Sequence, residues 1–312
     1  MDDPLVEFWP HPAGRPQALG LQRNGGWTLW DLEALSRREL APARQVRFTP
    51  QGLAGLDAEG RLFLDAGTGR TCPEEARGRV FSDVCVLENG WLVAGDLGGE
   101  LRVFDGDQEV QRIWLASLVN AVIAAPAGPK VLVAEDSGYA TIWDLDTEER
   151  LGLVHVCQDE VLGGAWSRDG RAALCCGLGS TQVLTVPSGT AWVPTTRLTV
   201  CPALTRQPSG AWCFSPDSAH LAHVGADGFL EIRAIDGTRP RSLPVPQDLY
   251  SVALDDQGTA WLGGRDGWLT LDLATGEPGP FNSTERPVWR VLATRWGVLA
   301  TSGDHIVRLT IA

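Results

Sequence analysis

Short segments with alternating apolar and polar residues recur along the chain, and they occur in pairs joined by tight turns. The clearest pair spans Lys130 to Leu151. An apolar run at 131–134 leads into an acidic turn with an Asp-Ser-Gly sequence, after which Tyr139, Thr141 and Trp143 alternate with apolar neighbours. This pattern predicts a β-hairpin. One hairpin buries too little apolar surface and leaves two edges open, so we expect the chain to repeat the unit.

Eight copies of this hairpin align along the sequence. The residues that align at or near the turn are, in order, Gly26, Gly60, Gly99, Gly138, Ser180, Gly228, Gly267 and Asp304. Successive copies are separated by 34, 39, 39, 42, 48, 39 and 37 residues. A period of about 40 residues that is built from strands alone is typical of the blades of a β-propeller.

Most hairpins follow a third strand-like run and precede a weaker fourth one. We therefore predict an all-β fold, a single β-propeller domain over residues 1–312 with four-stranded antiparallel blades. Eight blades are favoured, with seven as the alternative because the second unit is short. The predicted units are 1–42, 43–78, 79–117, 118–158, 159–202, 203–247, 248–284 and 285–312. Since the last unit ends at its third strand, residues 4–9 are expected to complete it.

Two units carry a Trp-Asp-Leu triplet, at 30–32 and 143–145, and two turns read S-x-D-G (167–170) and S-P-D-S (215–218). In these features the chain resembles the WD40 repeat family. The resemblance implies a propeller that presents its loops to a protein or peptide partner. The Gly-His pair that usually precedes the first strand in that family is absent here. The family's buried Asp-His-Ser/Thr-Trp network is therefore expected to be incomplete.

Charge and cysteine usage exclude several functional classes. The net charge is −13, with 39 acidic and 26 basic residues, which disfavours nucleic-acid binding because an acidic surface repels the phosphate backbone. The apolar runs are too short to cross a membrane, and the N-terminal sequence does not have the pattern of a secretory signal. Seven cysteines without a C-x-x-C motif favour neither a disulfide framework nor a zinc site. We expect a soluble, cytoplasmic monomer, and the use of a single lysine beside many arginines favours a GC-rich bacterial genome.

The loops that follow the second and fourth strands are the expected binding face, as the propeller fold implies. Aromatic and imidazole side chains there are candidates for partner binding: Tyr139, Phe229, Trp268, Trp289 and His305. Aromatic residues dominate the energetics of many interfaces. The alternative is that these side chains pack between blades.

The same turns carry acidic candidates for a basic partner: Asp136, Asp227 and Asp266. An acidic ring attracts Lys and Arg side chains, although each Asp also stabilises its own turn. A second, enzymatic or small-ligand hypothesis places a lactonase-like site in the central channel, lined by Asp83, Asn120, Ser251 and Arg290. We predict no metal and no cofactor, because these channel residues are scattered along the chain and Arg290 would repel a cation. The chain has no G-x-S-x-G, H-E-x-x-H or P-loop motif, so a non-catalytic scaffold is favoured.

Overall fold

The computed structural model describes residues 5–11, 15–34, 36–67, 69–177, 180–185, 193–198, 212–225, 228–235, 240–294 and 297–310. Its described residues form 31 β-strands and one short 3-10 helix. The strands make eight antiparallel sheets, which we number in chain order; seven have four strands and the last has three. The prediction of an all-β chain is confirmed. The sheets divide between two compact units, one made of residues 1–41 with 207–312 and the other of residues 42–206.

The terminal unit contains sheets 1, 6, 7 and 8. Sheet 1 consists of β1 (Leu5–Pro10), β2 (Gln17–Gln22), β3 (Trp27–Asp31) and β4 (Ser36–Glu39). Sheet 6 consists of β21 (Trp212–Phe214), β22 (His220–Val224), β23 (Phe229–Ala234) and β24 (Arg241–Pro244). Sheet 7 consists of β25 (Leu249–Leu254), β26 (Thr259–Gly264), β27 (Gly267–Asp272) and β28 (Asn282–Ser283). Sheet 8 consists of β29 (Val291–Thr294), β30 (Gly297–Ser302) and β31 (His305–Leu309).

The middle unit contains sheets 2 to 5. Sheet 2 consists of β5 (Gln45–Thr49), β6 (Gly52–Leu56), β7 (Leu62–Asp65) and β8 (Arg70–Thr71), followed by the 3-10 turn Glu74–Ala76. Sheet 3 consists of β9 (Phe81–Val86), β10 (Leu92–Asp96), β11 (Glu100–Asp105) and β12 (Gln108–Trp114). Sheet 4 consists of β13 (Val119–Ala124), β14 (Lys130–Glu135), β15 (Tyr139–Asp144) and β16 (Glu149–His155). Sheet 5 consists of β17 (Val161–Trp166), β18 (Ala172–Gly177), β19 (Ser180–Thr185) and β20 (Val193–Leu198).

Each of the eight sheets lies inside one of the unit ranges that the sequence predicts. The expectation for the N-terminal segment is wrong. Residues 5–10 form the first strand of sheet 1 and pair with β2, so they do not complete sheet 8. The N-terminal strand nevertheless touches sheet 8, because the Leu5 N–H donates a 2.6 Å hydrogen bond to the carbonyl of Gly303. Residue 4 lies outside the described residues.

The hydrophobic core lies in the seams between sheets that are consecutive in the chain. One cluster in the middle unit joins Val93, Leu101 and Val103 of sheet 3 to Val131 and Val133 of sheet 4. Another cluster, in the terminal unit, joins the first three strands of sheet 7 to sheet 8. Inner strands are buried on both faces, as the unbroken burial of β10 shows. This arrangement explains why those strands read as continuous apolar runs.

Side chains of the first strands also hold neighbouring sheets together. The amide oxygen of Gln45 accepts a 3.0 Å hydrogen bond from the Val84 N–H, and Asp83 accepts one of 2.7 Å from the Val122 N–H. In the terminal unit Ser251 accepts a 2.9 Å bond from the Val291 N–H. In each case a polar side chain on the first strand of one sheet accepts a hydrogen bond from a backbone N–H on the first strand of the next sheet. The described part of the chain contains no helical segment with the length and apolar character of a membrane span.

Candidate functional site

Exposed large apolar side chains are concentrated at one end of sheets 3 and 4. Nine such residues occur among those the structure describes. Five of the nine share this location: Leu97, Trp114, Leu118, Tyr139 and Leu153. Trp114 is the most exposed of them, at 67%. A concentration of exposed apolar side chains marks an interaction site more often than single exposed residues do.

A groove with a volume of about 280 Å³ runs between these two sheets. We call it the Tyr139 groove. Sheet 3 contributes Trp114 and the residues after it, and sheet 4 contributes most of the remaining lining. The sheet 4 side chains are Glu135, Ser137, Tyr139, Thr141, Trp143, Arg150 and Leu153. The groove combines apolar walls with a small number of polar groups, which is the usual composition of a binding site.

The turn between β14 and β15 positions Tyr139. Gly138 has a φ of +80°, and a Cβ there would lie 2.2 Å from the carbonyl oxygen of Cys157. Glycine is therefore required for both conformation and space. Tyr139 begins β15 opposite His155, and the two rings are tilted by 60° with centroids 5.0 Å apart. This contact holds the tyrosine at the mouth of the groove while 38% of it remains exposed.

Glu135 is the buried acidic group of the groove, with only 3% of its surface exposed. The Thr141 hydroxyl donates a 3.0 Å hydrogen bond to its Oε1 atom, and the indole N–H of Trp143 donates one of 3.2 Å to the Thr141 oxygen. Desolvation raises the pKa of Glu135, while the Thr141 hydrogen bond and the charge of Arg150 act in the opposite direction. No ion pair to Glu135 occurs among the described residues.

The surrounding sequence holds most of the protein's excess negative charge. Residues 81–160, which include sheets 3 and 4, contain fifteen Asp or Glu and four Lys or Arg residues. The rest of the chain has 24 acidic and 22 basic residues and is nearly neutral. The segment that contains the Tyr139 groove therefore has an excess of acidic over basic residues. An excess of negative charge steers cationic ligands to a surface.

The other aromatic candidates differ in exposure. Trp268 is 8% exposed and stacks on Trp261 at 5.5 Å, so its prediction as a surface anchor is wrong. The reason is register. Asp272 pairs with Thr259 as Asp144 pairs with Lys130, which places Trp268 at the position of Ala140 instead of Tyr139. A shift of one residue moves a side chain to the opposite face of a strand.

The remaining candidates have mixed environments. Phe229 is 41% exposed at the start of β23. Trp289 is half-buried and stacks on Tyr250 with centroids 4.8 Å apart. His305 is exposed, and its Nδ1 atom lies 2.7 Å from Oδ1 of Asp304. Each of the three lies in the terminal unit, whereas the apolar cluster of sheets 3 and 4 belongs to the middle unit.

Of the acidic candidates, Asp136 and Asp266 are exposed turn residues, and Asp227 lies outside the described residues. Asp304, at the corresponding turn of sheet 8, is almost completely buried and bound to Arg37 and Arg286. Its role is structural, because the two arginines already neutralise it.

Most of the channel candidates form hydrogen bonds that link neighbouring sheets. Asp83 and Ser251 accept backbone hydrogen bonds from the next sheet, as described above. The side-chain amide of Asn120 donates a 3.1 Å hydrogen bond to the carbonyl of Val161. Arg290 is different, because its buried Nε and Nη1 atoms have no hydrogen-bond partner among the described residues. Among the described residues, no group of three or more His, Cys, Asp or Glu side chains is placed to hold a metal ion.

A larger cavity of about 480 Å³ lies in the terminal unit between sheets 6 and 7, but three of its charged side chains already have hydrogen-bond partners. Asp217 accepts hydrogen bonds from Ser215 and the Ala219 N–H. Asp255 accepts three, including a 2.8 Å bond from the indole of Trp261. Arg241 donates to two carbonyls in the turn after β27. The Tyr139 groove offers a less satisfied acid and more exposed aromatic surface, so it is the stronger candidate.

The sequence pattern predicts Tyr139 and Asp136 as site residues but not Trp114 or Glu135. Trp114 ends a weak fourth strand, and nothing in the sequence shows that its side chain faces solvent. A signal for Glu135 exists, since it is an acid at the end of an otherwise apolar strand. Its burial depends on the packing of sheet 3 against sheet 4.

No protein-family model matches the chain, and no curated protein matches its sequence. Among solved structures, the crystal structure of the computationally designed Ika8 protein is similar, with a TM-score of 0.70 and 15% sequence identity. The match covers 99% of this chain and 97% of the designed protein. At this identity the likeness concerns the fold alone.

Proposed function

We propose that the protein is a non-catalytic, WD40-like β-propeller of eight blades that binds a basic protein or peptide in the Tyr139 groove. The observation that supports this proposal is that two features occur together on sheets 3 and 4. These are the cluster of exposed apolar side chains around Trp114 and the excess of acidic residues.

The apolar cluster supplies the affinity in this proposal. Trp114 and Tyr139 are large amphipathic side chains next to a groove, which is the environment in which interface hot spots occur. Loss of such a side chain costs about 2 kcal/mol or more of binding free energy, or roughly a thirtyfold loss of affinity.

The acidic surroundings supply the choice of partner. A partner segment with Lys or Arg next to an apolar residue would place the apolar residue against Trp114 and its cations in the negative field. Charged groups at the edge of an interface act mainly on the rate of association, so binding should weaken with added salt.

A peptide array tests the proposal directly. Short synthetic peptides with systematically varied charge and apolar content are titrated against the purified full chain, and affinity is measured by fluorescence polarisation. We expect peptides that combine Arg or Lys with an aliphatic or aromatic residue to bind. Trp114→Ala should weaken their binding by about thirtyfold or more.

Phe281→Ala is the matched control, because Phe281 is an aromatic residue that is 50% exposed in the terminal unit. We expect this variant to bind as the unmodified protein does. Equal losses in the two variants, or an array in which no peptide binds above its charge-reversed counterpart, would contradict the proposal.

A further inference from the structure

We infer that the Tyr139 groove takes one arginine side chain of the partner, whose guanidinium group lies against the aromatic side chains and hydrogen-bonds to Glu135. This inference rests on the proposed function and names the chemistry that the groove recognises. Three properties of the groove lead to this inference: a carboxylate with few hydrogen-bond partners, aromatic walls and a small volume.

Glu135 lacks the partners that a buried carboxylate normally has. An ionised carboxylate can accept about four hydrogen bonds. Among the described residues, the Thr141 hydroxyl is the donor that reaches the Glu135 side chain, at 3.0 Å. A buried charge without a partner is costly, and a ligand that brings a positive charge and several N–H donors removes that cost.

The neighbouring side chains favour a planar cation. Trp114, Tyr139 and Trp143 line the same groove as Glu135. Aromatic faces attract cations, and a guanidinium group also stacks on them because it is planar and weakly hydrated. The indole N–H of Trp143 is already donated to Thr141, so that ring contributes its face and not its hydrogen bond.

The size of the groove suits a single side chain. Its volume of about 280 Å³ lies just below the range of about 300–1,000 Å³ that is usual for sites of drug-sized ligands. An α-helix, at a diameter of about 10–12 Å, is too wide for it. One extended arginine side chain reaches into such a space while the peptide backbone stays outside.

Arg150 is the protein's own cation at this site. It lines the groove and lies opposite Trp143 on the adjacent strand β16, and its charge acts on Glu135 without forming an ion pair to it. Arg150 is exposed to solvent, so it can move aside. Its charge opposes an incoming guanidinium, and its removal should strengthen binding of the ligand.

The test uses three versions of the best-binding array peptide, with arginine, lysine or citrulline at the position whose substitution weakens binding most. Citrulline keeps the shape of arginine and removes its charge. Affinities are measured by calorimetry for the unmodified full chain and for the variants Glu135→Gln, Asp136→Asn and Arg150→Ala. Asp136 is an exposed acid of the same turn and serves as the charge-matched control.

For the unmodified protein we expect arginine to bind about tenfold more tightly than citrulline, with lysine in between, because a charge-assisted hydrogen bond is stronger than a neutral one. Glu135→Gln should reduce the arginine preference to less than about twofold, Asp136→Asn should preserve it, and Arg150→Ala should increase it. Circular dichroism of each variant checks that the fold is retained.

The outcomes separate this inference from the proposed function. If Trp114→Ala abolishes binding but the arginine and citrulline peptides bind equally, the groove is a docking site and the arginine assignment is wrong. An arginine preference that survives Glu135→Gln also overturns it. If no peptide binds to the unmodified protein, the proposed function fails and the inference fails with it.

Discussion

Thr141 donates its hydroxyl hydrogen to Glu135 over 3.0 Å, and both side chains are almost completely buried. The threonine lies two residues before Trp143, whose indole N–H in turn donates to it. Sheet 1 contains a related pair, in which the indole of Trp30 donates to Thr28 at 2.9 Å. In sheet 1 the Thr28 hydroxyl donates a 3.3 Å hydrogen bond to a backbone carbonyl, whereas in sheet 4 the Thr141 hydroxyl donates to a carboxylate. This difference gives the Tyr139 groove its acid.

Glu135→Gln should stabilise the folded protein at neutral pH. The folded state has a raised pKa for this carboxyl, mainly because burial disfavours the charged form. Glu135 therefore costs stability as the pH rises from its ordinary value of 4.5 through its raised value in the folded state. In the variant, the free energy of unfolding should not fall in this way as the pH rises. Urea unfolding between pH 4 and pH 8 measures this difference. A steeper decline in the variant would contradict the assignment of Glu135 as an underpaired acid.

Asp304→Asn should lower stability by about 1–3 kcal/mol, because it removes a charged acceptor from two arginines. Oδ1 of Asp304 lies 2.9 Å from Nη1 of Arg286, and Oδ2 lies 3.2 Å from Nη1 of Arg37. Burial alone raises the pKa of Asp304, but its own backbone N–H, His305 and Arg37 lower that pKa by more. Its contribution is therefore present above about pH 4 and is lost as the pH falls through the lowered value.

Asp266→Asn is the control for that experiment, since Asp266 is an exposed acid at the corresponding turn of sheet 7. A surface change of this kind should alter the free energy of unfolding by no more than about 0.5 kcal/mol. Similar losses in the two variants would show that the Asp304 cluster does not join sheet 8 to sheet 1.

Ser251→Ala should destabilise the protein by about 1–3 kcal/mol, because the buried N–H of Val291 loses its acceptor. Ser251 is fully buried, so water cannot take its place without a rearrangement. Chemical denaturation measures the effect, with the exposed Ser283→Ala as the reference. A loss as small as that of the reference would mean that the side-chain links between first strands add nothing to stability.

The repeat was readable from the sequence because it is a local property. The turn residues Gly60, Gly99, Gly138 and Gly228 all have φ near +80°, a conformation that glycine adopts at no steric cost. Strand pairs around these turns are close in sequence, so alternation and turn chemistry locate them. The first strand at 5–10 was misassigned because its partner depends on which sheet it meets.

Much of the candidate site could not be predicted from the sequence, because the exposure of a side chain depends on how one sheet packs against another. Tyr139 and Trp268 both follow a turn that contains Asp and Gly, yet one is exposed and the other is buried. The turn before Trp268 is one residue shorter, and this reverses the direction of the side chain. Trp114 and Glu135 acquire their roles only where sheet 3 meets sheet 4.

Hydrogen–deuterium exchange of the protein with and without the best-binding array peptide tests the central claim most directly. The account predicts that slower exchange on binding is confined to segments around the Tyr139 groove, at 112–119 and 135–155. The segments 220–234 and 259–272 of the terminal unit should exchange as they do in the free protein. Protection of the terminal-unit segments, with none at 135–155, would contradict the account.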